Sequence, residues 1–173
     1  EADSMICGTF GQYSWHLQYV RHVLARDGLH PVGALSMIIL EDGPLFIADT
    51  QCHNDPTPEQ VAEAVQGTAR HVRRFGLTPK IALCAHSQFG NLDTYTGRKM
   101  REAMALLDAR EPDFMYDGEM HVDAALDPEL RERIFPGSRL QGAANVLVFA
   151  GTDAASGVRN ALKMRAGGLE VGP

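Results

Sequence analysis

The chain has 173 residues, 45% of them apolar and 22% charged, with a net charge of −6 and a pI near 5.6. That length predicts one domain, residues 1–173, able to bury about 70% of its unfolded surface. The acidic balance, without a basic stripe, argues against nucleic acid as a partner. No apolar run approaches the roughly 18 residues of a membrane span and no secretory signal is visible, so no membrane is expected either.

The three cysteines, Cys7, Cys52 and Cys84, are odd in number and form no CxxC pair. Cys7 and Cys84 sit in apolar runs. Reduced thiols and a cytoplasmic location are expected.

In chain order, Ser4–Gly8 reads as a short buried strand. Trp15, Tyr19, Val20, Val23 and Leu24 recur at helical spacing between Gln12 and Arg26, and Asp27-Gly28 closes that helix. Leu35–Leu40 and Leu45–Ala48 flank a short Asp-Gly loop and predict a β-hairpin. Asp49–Asp55 is a polar loop. Thr57, Pro58 and Gln60 then compose an N-cap, a first-turn proline and a capping box. Val61, Ala62, Val65, Ala69 and Val72 form the inner stripe of the helix that follows, up to Phe75-Gly76. Its last turn carries Arg70, His71, Arg73 and Arg74, the favoured charge for a helix C-terminus.

Lys80–Ala85 is a continuous apolar run, as expected of a strand covered on both faces. A helix follows from about Thr96 to Ala109, with Met100, Ala103, Met104 and Leu107 inward. Phe114–Asp117 reads as a short strand, and Asp127-Pro128-Glu129 caps a helix ending near Phe135-Pro136. Val146–Phe149 is another buried strand, and Ala155–Met164 a helix closed by Gly167-Gly168. This alternation predicts an α/β fold, a three-layer α/β/α sandwich with a mixed, mostly parallel sheet.

In such sheets ligands bind at the carboxyl ends of the strands. Three strands run into polar loops: Ala85 into His86-Ser87-Gln88, Tyr116 into Asp117-Gly118-Glu119, and Phe149 into Gly151-Thr152-Asp153. Ser87 is open to three readings: a turn hydroxyl that caps the next segment, a donor to a phosphate or thioester oxygen helped by backbone N–H groups, or a nucleophile without a GxSxG context. Glu119, His121 and Asp123 alternate, so an extended backbone would place them on one face as metal ligands. The alternative is a loop whose carboxylates cap nearby helices. His53 with Asp55 is a weaker suggestion of the same kind.

Several ordered blocks carry a family resemblance. They are ADSMICG, FIADTQCHNDPTPEQVAE, RRFGLTPKIALCAHS, DGEMHVDAALDPELRERIFPGSRLQGAANVLVF and GGLEVGP. Together they resemble the phosphate acetyl/butyryl transferase family. Within it they are most similar to the phosphotransacetylase-like domain at the C-terminal end of large bacterial NADP-dependent malic enzymes. The resemblance implies the three-layer fold shared with isocitrate and isopropylmalate dehydrogenases. It implies that this is the second of two subdomains, the one that also makes the dimer contact, cut from a longer protein. It further implies acetyl-CoA, or a related acyl-CoA, as an allosteric inhibitor, self-association as a homodimer or higher oligomer, and NADP and a divalent metal only in the parent enzyme. Two alternatives stay open. One is a genuine transferase moving an acyl group between acyl phosphate and CoA; the other is a dimerisation module without a ligand.

By the same resemblance the candidate acyl-CoA or phosphate contacts are Ser87 and Gln88 in the loop after the Lys80–Ala85 strand, Arg21, and Asp153. Phe89 and Asn91 depart from the glycine- and serine-rich loop of active transferases, and Ser156 replaces a family asparagine. The family's catalytic Asn-Asp-Leu-Ser-Arg motif follows a Gly-Pro pair, where this sequence stops at Gly172-Pro173. No catalytic residue and no metal ligand is therefore assigned.

Overall fold

The computed structural model describes residues 9–24 and 33–172. The chain divides into two compact units at Val32/Gly33, each described by itself. The predicted strand Ser4–Gly8 and the helix stop at Asp27-Gly28 lie outside the described residues. In the first unit the helix α1, Tyr13–Tyr19, passes into a π-helical turn, Val20–Leu24.

The second unit is built on six strands: β1 (Leu35–Leu40), β2 (Gly43–Ala48), β3 (Lys80–Cys84), β4 (Met115–Met120), β5 (Val146–Phe149) and β6 (Leu169–Val171). Their order across the sheet is β4-β3-β5-β2-β1-β6. The neighbours β4/β3, β3/β5 and β5/β2 are parallel, and β2/β1 and β1/β6 antiparallel. The sheet is thus mixed and mostly parallel, as the alternation of elements predicts.

The continuous apolar strands feed two cores. Val146 and Val148 face one way, with Ile81 and Leu83, onto α2 (Pro58–Arg74) and α3 (Tyr95–Asp108). Leu147 and Phe149 face the other way, with Ala82 and Cys84, onto α4 (Val122–Leu126) and α6 (Thr152–Arg165). A short helix α5, Pro128–Ile134, follows α4. The start of α2 is as the sequence requires: Thr57 Oγ1 accepts from Gln60 N, and Gln60 Oε1 from Thr57 N. A cap of this kind is worth about 1 kcal/mol. All five residues of the expected inner stripe are buried.

Four elements differ from expectation. The hairpin is tighter, since β2 already begins at Gly43. Short elements α4 and β6 appear where only loop was expected. Most consequential, Asp117-Gly118-Glu119 is not a rim loop but the interior of β4. Asp, Gly and Glu are poor strand formers, yet both buried carboxylates find hydrogen-bond donors. Asp117 Oδ2 accepts from Ser138 Oγ and Arg139 N, each at 2.7 Å. Gly118 is required by close approach: a Cβ there would lie 2.5 Å from the Leu83 carbonyl oxygen, at a φ of +150°. The register pairs Leu83 with Gly118 but Cys84 with Met120, so Glu119 is the extra residue of a β-bulge. Such a bulge re-aims one side chain, and here it aims Glu119.

Candidate functional site

The parallel strands β4, β3, β5 and β2 put their carboxyl ends on one rim. From β3 the chain leaves through α3 on one face toward β4. From β5 it leaves through α6 on the opposite face toward β6. The sheet order reverses between β3 and β5, and a crevice outside these strand ends is where open α/β sheets take ligands. Residues 85–94 form one bank of it, and residues 150–152 the other.

The first bank is held from below. Glu119 is fully buried, and its Oε1 accepts from Ser87 Oγ, from Gly90 N at 3.0 Å and from Arg101 Nη1 at 2.7 Å. Its backbone carbonyl takes Phe89 N at 2.7 Å. The remaining turn amides close on the loop itself, Gln88 N on Asn91 Oδ1 and Asn91 N on the Gln88 carbonyl. The amides of residues 88–91 are therefore all spent inside the protein. Phe89, at φ +47°, turns its ring against Phe135 with centroids 4.1 Å apart. His121 donates from Nε2 to the His86 carbonyl at 2.7 Å, which leaves Nδ1 to accept from the Gln88 amide. Gly97 in α3 packs closely on this loop: a Cβ there would sit 2.7 Å from Ser87 Oγ, so any side chain would displace that hydroxyl.

Lys99, in the helix that follows the first bank, reaches the second bank and the loop after β2. Its ammonium group is buried and donates to the Ala150 carbonyl at 3.0 Å and to Asp55 Oδ1. Tyr95 OH donates to the other Asp55 oxygen at 3.0 Å. These bonds, that of Lys99 first, hold the Asp55 carboxyl below the usual carboxylate range. A cavity of about 280 Å³ opens beside them, lined among others by Pro56, Pro58, Tyr95 and Arg98. Asp49 shapes the adjoining loop by accepting from the amides of Ala34, Gln51 and Cys52 and from His53 Nδ1. Asn54 meets the start of α6 through Thr152.

The model of the phosphate acetyl/butaryl transferase family matches residues 1–173, the whole chain. The chain belongs to that family. Among curated relatives, an NADP-dependent malic enzyme of Salmonella typhimurium is 47% identical over all of this chain and 23% of its own length. A phosphate acetyltransferase of Synechocystis is 28% identical over all of this chain and 25% of its own. The chain thus spans about a quarter of the curated relatives it matches. The EutD phosphotransacetylase from Staphylococcus aureus superposes with a TM-score of 0.83 at 25% identity, over 91% of this chain and 49% of that one.

Within this phosphotransacetylase fold the candidate contacts are distributed unevenly. Ser87 lies at the switch-point loop but is buried, its hydroxyl donated to Glu119. Gln88, half-buried beside it, holds His121. Asp153 is exposed in the first turn of α6, where a carboxylate complements the helix dipole. Arg21 lies in the π-helical turn of the first unit. Glu119, His121 and Asp123 do not share one face, because the bulge turns Glu119 inward and α4 starts at Val122. His53 bonds Asp49 rather than Asp55. Among the described residues no group of three or more His, Cys, Asp or Glu side chains is placed to hold a metal ion. Among them, too, no helix is long and apolar enough to cross a membrane.

Two site residues escaped sequence reasoning in different ways. Lys99 shares the inner stripe of α3 with Ala103 and Leu107 at intervals of four, a signal present in the periodicity and hidden only by its charge. The anchoring role of Glu119 had no local signal, because its donors come from residues 18–32 positions away.

Proposed function

We propose that the chain is part of the regulatory, phosphotransacetylase-like domain of an NADP-dependent malic enzyme. In this reading its switch-point crevice contributes to binding acetyl-CoA, or a related acyl-CoA, as an allosteric inhibitor in the cytoplasm. Oxidative decarboxylation of malate, with NADP and a divalent metal, belongs to other parts of the longer protein, and none of that chemistry is assigned to the residues described. The observation that carries the reading is the state of the loop after β3. A loop that faces an acyl phosphate for transfer chemistry must offer it hydroxyl and N–H donors. Here the Ser87 hydroxyl and the amides of residues 88–91 are spent on Glu119 and on the loop. The malic enzymes of Salmonella typhimurium and Escherichia coli, 47% and 45% identical over the whole chain, support the same choice.

Self-association is part of the proposal. Cross-strand partners Ile39 and Leu169 and nearby Val171 are 40%, 65% and 46% exposed at the β1/β6 end of the sheet, an apolar row that suits burial against another protein surface. The competing reading, transfer of an acyl group between acyl phosphate and CoA, draws support from the similarity of this whole chain to a quarter of the Synechocystis phosphate acetyltransferase.

A thermal melt titrated with acetyl-CoA, with free CoA and acetyl phosphate as controls, tests the proposal. A ligand at one hundred times its Kd stabilises by roughly 2.7 kcal/mol, on the order of 5–10 °C for a domain of this size. A saturable shift with acetyl-CoA supports effector binding. A flat response removes the site from this chain, and a shift with acetyl phosphate favours the transferase reading. Inhibition of the longer protein then requires that acetyl-CoA bind its two states with different affinity.

A further inference from the structure

We infer that Glu119 and Arg101 are positioning residues: a buried carboxylate and a rim guanidinium that together hold loop 86–91 in the form that meets the ligand. The inference rests on the proposed acyl-CoA site and assigns that site's geometry to two residues the ligand does not need to touch.

Four observations carry it. The bulge in β4 inserts Glu119 as an extra residue and turns it under the loop instead of along the strand. Its Oε1 then gathers three donors from two elements, Ser87 and Gly90 of the loop and Arg101 of α3. Its own carbonyl holds the amide of Phe89. Its Oε2 is buried with no partner among the described residues, so the charge of a fully buried group is balanced through Oε1 and the Arg101 contact. A buried carboxylate is tolerated only when paired and hydrogen-bonded. The guanidinium is therefore as necessary to the arrangement as the carboxylate. Arg101 also approaches Asp93, two residues past the loop, at 3.7 Å, so it is tied to the loop's far flank as well as to Glu119.

What this pin controls is the presentation of His86, Gln88 and Asn91. His86 and Asn91 are exposed and Gln88 half-buried in the pinned turn. Gln88 and the His86 carbonyl are further coupled through the single ring of His121. Release of Gly90 and Ser87 lets the turn relax and misplaces all three residues, without removing any atom that a ligand contacts.

The test compares wild type, Glu119→Gln, Arg101→Lys and Val65→Ala. The last thins the α2 core without touching the Glu119 hydrogen bonds and serves as the control for lost thermal stability. Acetyl-CoA affinity is measured by calorimetry, and amide hydrogen exchange is followed at Phe89 and Gly90. The expected result is acetyl-CoA binding weakened tenfold or more in Glu119→Gln and Arg101→Lys, with exchange at both amides accelerated at least tenfold. Val65→Ala binds as wild type does. Wild-type affinity in both loop variants overturns the inference and leaves the proposed function standing. Equal weakening in Val65→Ala also overturns it, since the effect is then general loss of stability. If wild type itself shows no saturable binding, the acyl-CoA reading fails on its own. The pin is then judged by exchange alone: faster at both amides supports it, unchanged overturns it. Should Glu119→Gln not fold, Arg101→Lys decides the same points from the solvent-facing side of the pair.

Discussion

Arg131 donates from Nη2 to the Gly142 carbonyl at 2.6 Å, and the other groups it bonds are also backbone carbonyls: Ala124, Ala125 and Leu140. The side chain is buried, 2% exposed. Ala124 and Ala125 lie in the last turn of α4, where carbonyls lack intrahelical partners. Leu140 and Gly142 belong to the irregular connection into β5. One guanidinium thus completes the hydrogen bonding of two segments that also meet through the Ala144 amide on the Ala125 carbonyl at 2.9 Å.

Arg131→Met should therefore cost about 3 kcal/mol, because it strands buried carbonyls. For a domain of this size the melting midpoint falls by roughly 6–12 °C. Arg131→Lys should recover only part of this, since an ammonium lacks the planar fork that serves four acceptors. Calorimetric melts of the three proteins check it, and a midpoint for Arg131→Met within a degree of wild type would refute the carbonyl-satisfaction account.

Tyr116 and Asp108 predict a two-sided pH response. Burial, followed by the 2.5 Å bond to Asp108, pushes the Tyr116 phenol up to about 12. A raised folded pKa contributes stability in full below the unfolded value near 10, and that contribution is lost as pH climbs toward 12. Asp108 goes the other way. The bond from Tyr116, then that from Arg139, hold its carboxyl below the usual range, so its contribution is present above that range and disappears as pH falls beneath it. Tyr116→Phe should flatten the alkaline limb of a Tm-versus-pH profile, and Asp108→Asn should flatten both limbs. Phenolate absorbance that shows all four tyrosines titrating together near 10 would contradict the assignment.

Gly151 keeps the β2 and β5 loops together. A Cβ there would lie 2.7 Å from the Asn54 carbonyl oxygen, which is backbone and cannot swing away. Gly151→Ala should cost about 1–3 kcal/mol by overpacking, and it should widen the junction where Thr152 meets Asn54. Gly157, inside α6 with open space around it, makes the contrast. Gly157→Ala should stabilise by about 0.5–1 kcal/mol. Opposite signs in denaturant melts are the expected outcome; the same sign for both would undo the close-approach argument.

Cys84 should be chemically silent in the folded protein. Burial pushes its thiol up to about 12, so thiolate is scarce at pH 8. Cys52 is only half-buried. Brief alkylation followed by peptide mass mapping should label Cys52 well before Cys84, with Cys84 reacting only after denaturation. Comparable native labelling of both would mean that the β3 core opens far more readily than its packing implies.

Local chemistry was sufficient for much of this protein. The capping box of Thr57 and Gln60, the stripe from Val61 to Val72, and the apolar runs of β3 and β5 each carry their signal within a few residues. From them follow the helix, the buried strands and the layered sheet, and the ordered sequence blocks carry the family. The site is different. That Asp117 and Glu119 belong inside a strand, that Lys99 is buried over the switch point, and that Ser87 gives its hydroxyl away depend on donors and acceptors brought in from 18–51 residues off. Hydrophobic patterning reports which side chains avoid water. It does not report which charged side chains are allowed to leave it, because their desolvation is offset only by partners that the tertiary fold supplies.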